Sequence, residues 1–168
     1  MPLSLSIRLI ALCALLLLAV TDVRRRRLPN KLVLVVGGLF FADALAVHMS
    51  FGDLMTHLLI AFLVYLICGG LFAAKMLGGG DAKLAAVIFL WAGLHLSGSA
   101  AILISVTGAS VALISLATQR TNPQHRLAAV RTLALFSGAR GVPYGVALAL
   151  GGGAVIVLPA LLPLFLIR

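Results

Sequence analysis

The chain holds four acidic residues, all aspartate: Asp22, Asp43, Asp53 and Asp81. Two of them stand where apolar stretches meet unusual loops. Asp22 ends the first apolar run and precedes four arginines, in Thr21-Asp22-Val23-Arg24-Arg25-Arg26-Arg27-Leu28-Pro29-Asn30. Asp81 follows three glycines, in Gly78-Gly79-Gly80-Asp81-Ala82-Lys83-Leu84. Two carboxylates held close cannot both ionise cheaply, so they share one proton. The ionised member can take a proton from water while the protonated member polarises a carbonyl. This chemistry hydrolyses an amide with no metal, no other cofactor and no covalent intermediate.

Each aspartate also has an ordinary reading. Asp22 pairs with Arg25 or Arg26 if the helix continues three or four residues on, although a carboxylate at a helix C-terminus opposes the macrodipole. Asp81 serves as an N-cap after a glycine loop. Gly78 to Gly80 lack every Cβ just before the carboxylate, which admits another backbone and unusual dihedrals. An extended peptide substrate would need that access. The spacing of a phosphate-binding loop is absent.

Neighbouring residues are candidates to support the pair. Pro29 breaks a helix and Asn30 suits the N-cap of the next one. Leu28-Pro29-Asn30 is therefore expected to fix a turn that keeps Asp22 near the neighbouring spans. Lys83 is either a charge that sets topology or a cation that meets substrate or phospholipid beside the pair. Tyr144 follows Pro143, a good first helical residue. It either anchors at the membrane interface or lends a hydroxyl to the site.

The elements that position these residues are membrane spans. The 168 residues are 62% hydrophobic and 10% charged, with mean hydropathy +1.20; a soluble domain is about 45–50% apolar and about 25% charged. The reading is an all-α polytopic membrane protein, one domain over 1–168, with about six transmembrane helices. They fall at roughly 3–21, 32–50, 54–75, 82–96, 98–118 and 143–167, each approaching the about 20 apolar residues a crossing needs. A tight hairpin is expected at Ser97-Gly98-Ser99. The first span has its arginines after the apolar run, unlike a cleavable signal, and is read as retained.

The net charge of +9 does not point to nucleic acid, because the positives lie in loops between apolar runs. They match topology signals and lipid headgroup contacts. Eleven of the thirteen Lys and Arg fall in the loops after the first, third and fifth spans, leaving Arg8 and Arg168 elsewhere. Those three loops are expected on the cytoplasmic side and both termini outside. Asp22 and Asp81 then share one interface. The long loop at roughly 119–142 is expected to hold an interfacial helix near 126–137.

The remaining polar residues read as structural. Asp43, inside the second span, faces a polar cavity, pairs with His48, or lies near the outer surface. Asp53, His48 and His57 read as solvated loop residues rather than metal ligands. Cys13 and Cys68 lie in apolar runs and form no CxxC pair, so a cysteine zinc site is not expected. Trp91 suits a position near the interface.

The two aspartate motifs resemble those of the type IV prepilin peptidases, membrane aspartic proteases of the Gly-x-Gly-Asp class. More narrowly, the chain is similar to the short form that serves tight-adherence (Flp-type) pili. Asp22 with Leu28-Pro29-Asn30 matches the first motif, and Gly78 to Leu84 the second. Val142-Pro143-Tyr144-Gly145-Val146-Ala147 resembles a third segment of that family. The resemblance implies a bacterial inner-membrane enzyme that removes prepilin leader peptides at the cytoplasmic interface with Asp22 and Asp81. Prepilin and membrane lipids would be its partners, with pilus assembly machinery beside them. The longer members carry paired CxxC motifs and also methylate the mature pilin; this chain lacks the motifs, so methylation is not expected. Two rival readings are a small proton-coupled transporter using the aspartates as a relay and an intramembrane protease of another substrate.

Overall fold

The computed structural model describes residues 2–117 and 144–166. Its elements are helices: α1 (Pro2–Arg25), α2 (Asn30–Ala46), α3 (Phe51–Ala73), α4 (Gly79–Ala117) and α5 (Tyr144–Leu166). No strand occurs among the described residues. Among the described residues four helices, α1, α3, α4 and α5, are long and apolar enough to cross a membrane, and the chain is a membrane protein. The 17 residues of α2 span about 26 Å at 1.5 Å per residue, slightly less than the about 30 Å hydrocarbon layer.

At 39 residues, α4 would be about 58 Å long if straight, nearly twice that layer. It is broken at Gly93, where φ is 57° and ψ −164°, a conformation open essentially to glycine alone. Asp81, Ala85 and Phe89 before the break line one cavity with Ala101, Ile104 and Ser105 after it. In a straight helix Asp81 and Ser105 would stand about 36 Å apart, so α4 folds back on itself at Gly93.

His57 holds this reversal. Its Nδ1 donates to the Leu90 carbonyl oxygen at 2.7 Å, one of the carbonyls that a helix end leaves without a partner. The hairpin thus lies four residues earlier than the Ser97-Gly98-Ser99 turn expected from sequence. Those residues are helical, and Ser97 Oγ satisfies itself on the Leu94 carbonyl at 2.8 Å.

The central helix is α5. It packs against α1 and α4, while α3 leans on α4 and α2 on both α1 and α4. Gly151, Gly152 and Gly153 are buried in it, and side chains of Ile104, Ile88 and Leu12 fill the space beside them. Small residues permit such close approach of helices.

Buried stripes bring the two aspartates inward. In α1, Ile7, Ala11, Ala14, Leu15, Leu18 and Asp22 are buried, at the three- and four-residue spacing of one helix face. The helix runs past the end expected at 21, so Asp22 lies in its last turn rather than after it. In α4, Leu84, Ala85, Ile88 and Trp91 are buried, and Asp81 stands one turn before Leu84 and Ala85 on that face.

At the other end, Asp43 is 3% exposed and neutralised by Arg8, whose Nη2 lies 2.8 Å from its Oδ2. Ser4 Oγ donates to Asp43 Oδ1 at 2.5 Å, and Arg8 Nη1 donates to the Ile156 carbonyl at 3.2 Å. Arg8, not His48, is the partner of Asp43. Trp91 is buried and donates to the Val36 carbonyl at 3.0 Å. Ser50 is the N-cap of α3: its Oγ accepts from the Asp53 N–H at 3.1 Å and donates to Asp53 Oδ2 at 2.7 Å. The interfacial helix expected near 126–137 lies outside the described residues.

Candidate active site

A cavity of about 320 Å³ lies where the arginine run, the glycine loop and the ends of the helices meet. Both Asp22 and Asp81 line it, with Arg26, Arg27, Leu28, Asn30 and Gly78 to Gly80. The charges of the two aspartates act on one another. Two residues far apart in sequence therefore share one cavity because each ends a buried helical stripe on the same side of the bundle.

Asp22 is 7% exposed. The α1 helix closes just after it: Arg26 N–H donates to the Asp22 carbonyl at 2.8 Å, and Arg26 takes φ 51°. That turn returns the Arg26 guanidinium to the neighbourhood of the Asp22 carboxylate, which it attracts. From the opposite side, the backbone N–H groups of Gly145 and Val146 at the start of α5 face the same carboxylate. A helix N-terminus favours negative charge there. Its Oδ2 is buried without a hydrogen-bond partner among the described residues, which leaves an acceptor for a water or a substrate N–H.

Asp81 sits in the first turn of α4, three residues after Gly78, and is not the N-cap itself. The carboxylate folds back over the glycine loop: a Cβ at Gly78 would lie 2.7 Å from Asp81 Oδ2. The glycines thus have a steric role next to the carboxylate. Asp81 also faces a second cavity, of about 470 Å³, together with Tyr144 and Leu148. Tyr144 packs its ring beside Gly108, and it lines the second cavity rather than the one that holds both aspartates.

The Leu28-Pro29-Asn30 turn acts differently from expectation. Pro29, extended at φ −68° and ψ 121°, occupies the N-cap position of α2. Asn30 is the first helical residue, and its Oδ1 accepts a hydrogen bond from Lys83 Nζ at 3.3 Å. The bond ties the turn after α1 to the start of α4. Leu28 does more than form part of that turn. Its side chain would meet a Cβ at Gly80 at 3.0 Å and a Cβ at Gly145 at 3.1 Å, so it wedges between the glycine loop and the start of α5.

Among the described residues no cluster of three His, Cys, Asp or Glu suited to a metal occurs. The arrangement offers two carboxylates and a guanidinium lining one cavity, with two backbone donors facing Asp22. It suits water activation beside a polarised carbonyl.

A sequence model of the type IV leader peptidase family matches residues 9–117. That stretch contains both aspartates, the Leu28-Pro29-Asn30 turn and the glycine loop. No curated protein and no solved structure matches the chain.

Proposed function

The chain belongs to the type IV leader peptidase family, and on that premise we propose that it is an aspartic endopeptidase that removes prepilin leaders with Asp22 and Asp81. Flp-type prepilins are its substrates in this reading, on the strength of the Pro-Tyr-Gly-Val-Ala segment. The single observation behind the dyad is that these two carboxylates, one from each motif, line the same cavity.

The reaction would follow from that pairing. One carboxylate takes a proton from water while the other, protonated, donates a hydrogen bond to the scissile carbonyl. Water oxygen bonds to the carbonyl carbon and the tetrahedral species forms. It collapses as the carbon–nitrogen bond breaks and the proton passes to the leaving nitrogen. A new carboxylate ends the leader and a new amine begins the mature pilin. Arg26 and the α5 N-terminus would hold Asp22 in place. Gly78 to Gly80 would leave room for the extended substrate backbone, and Asn30 with Lys83 would keep the two loops in register.

The proposed topology has six spans, with α4 supplying two through its reversal at Gly93. The arginine-rich loop and the glycine loop would face the cytoplasm and both termini the outside of the bacterial inner membrane. Substrate would reach the site laterally from the bilayer. Incubation of the purified protein with a Flp-type prepilin in detergent or vesicles, followed by product mass, tests the reading. One cut at the leader boundary is the expected result. Intact prepilin, with the enzyme folded, would contradict it.

A further inference from the structure

Of the four arginines that follow Asp22, one differs from the rest. Arg24, Arg25 and Arg27 are exposed, whereas Arg26 is half-buried. It lines the cavity that holds both aspartates. Its backbone also differs, with φ 51°. That is the left-handed region which glycine or asparagine ordinarily fills just past a helix end. A residue with a Cβ is strained there, and such strain gathers at functional sites. Ending α1 does not by itself call for an arginine. The turn it makes brings the guanidinium to the Asp22 carboxylate.

The two carboxylates therefore meet unlike surroundings. Asp22 has the Arg26 guanidinium from the turn after α1, and the N–H groups of Gly145 and Val146 from α5. The α5 backbone is so close that a Cβ at Gly145 would lie 2.8 Å from its Oδ2. A cation, backbone donors and a helix N-terminus all favour negative charge. Asp81 instead faces a cavity lined by Phe89, Ile104 and Leu148, with the Tyr144 phenol of α5 and the Cys68 thiol of α3. The charge that acts on it is that of Asp22, of like sign. Lys83 on the same helix directs its ammonium to Asn30 Oδ1 at 3.3 Å. Arg27, the other cation lining the cavity of both aspartates, is solvated.

Resting on the leader-peptidase reading, we propose that Arg26 is a positioning residue that divides the work of the dyad, keeping Asp22 as the carboxylate that takes a proton from water and leaving Asp81 as the acid that polarises the scissile carbonyl. Water oxygen bonds to the carbonyl carbon as its proton passes to Asp22, and the Asp81 proton passes to the carbonyl oxygen. The carbon–nitrogen bond then breaks as Asp22 returns its proton to the leaving nitrogen. One hydroxyl proton of the tetrahedral species goes back to Asp81 as the carbonyl re-forms. Both aspartates end in the states in which they began.

The test is the pH profile of kcat/KM on intact prepilin, whose acid limb reports the group that must be ionised. Arg26→Gly suits the backbone, since glycine takes positive φ without strain; the variant should melt no lower than wild type. Its acid limb should nevertheless move up by about one pH unit or more, because an adjacent cation is lost. Arg26→Lys should bring the limb back to within about half a unit of wild type. Arg25→Gln removes the same charge from an exposed position and should leave the limb in place. An unmoved limb in Arg26→Gly would overturn the proposal. So would the same shift in Arg25→Gln, which would mark an effect of net charge. Movement of the alkaline limb instead would overturn it by reversing the two roles. Cleavage by wild type and its loss in Asp81→Asn test the leader-peptidase reading separately. Failure there strikes the dyad, whereas an unmoved limb with that control in place strikes Arg26 alone.

Discussion

A Cβ added to Gly145 would lie 2.8 Å from Oδ2 of Asp22 and 2.9 Å from its carboxyl carbon. The start of α5 therefore approaches this carboxylate as closely as a backbone can, and its N–H groups face it. Gly145→Ala should push the Asp22 carboxylate aside. A displacement on the order of 1 Å costs about 10²-fold in rate when geometry matters. The expected outcome is a loss of that order in kcat on prepilin, with little change in thermal unfolding in detergent. Retained kcat would show that the α5 start does not position Asp22.

The same steric argument applies to the second aspartate. A Cβ at Gly78 would stand 2.7 Å from Asp81 Oδ2, so Gly78→Ala should cut kcat by about 10-fold or more. Gly69→Ala is the control, because a Cβ there meets nothing within 4 Å; it should cleave at near wild-type rate. Equal behaviour of the two variants would remove the role given to the glycine loop.

The ion pair at the far end is predicted to act on stability alone. Arg8→Met leaves Asp43, 3% exposed, as an unpaired buried charge. Losing one partner of a buried pair costs about 3–5 kcal/mol, and the low end is expected because Arg8 is 22% exposed. The double variant Arg8→Met with Asp43→Leu should recover most of the loss. Melting curves in detergent read both. A double variant no better than the single would contradict the pairing.

Gly93 and His57 are predicted to depend on one another. Alanine at Gly93 meets the His57 ring at 2.5 Å and must adopt φ 57°. The backbone strain alone is about 1–3 kcal/mol. Gly93→Ala should lower the melting temperature sharply. His57→Ala should lower it less, by leaving the Leu90 carbonyl without its donor. The double variant should fall short of the summed losses, since the clash vanishes with the ring. Additive losses would show that the ring and the turn are independent.

Much of the site was legible in sequence because rare residues carried it. With four acidic residues in 168, two that sit beside Arg-rich and Gly-rich loops stand out, and both line one cavity. The helical character followed from hydropathy. The position of the reversal in α4 did not, because Ser97-Gly98-Ser99 looks more turn-like than a single Gly93. The difference lies in His57, a residue of another helix that takes up the orphaned Leu90 carbonyl. Likewise Asp43 found Arg8 rather than His48, a pairing set by how α1 packs on α2. Leu28 and Gly145 gained their meaning from contacts between three separate elements, which no local pattern encodes.

The central claim is that Asp22 and Asp81 work together, and cleavage of intact Flp-type prepilin by wild type, Asp22→Asn and Asp81→Asn tests it most directly. Product mass should show one leader-boundary cut with wild type. Each variant should lose at least about 10³-fold in rate while its melting temperature stays near that of wild type. Substantial cleavage by either folded variant would contradict the dyad.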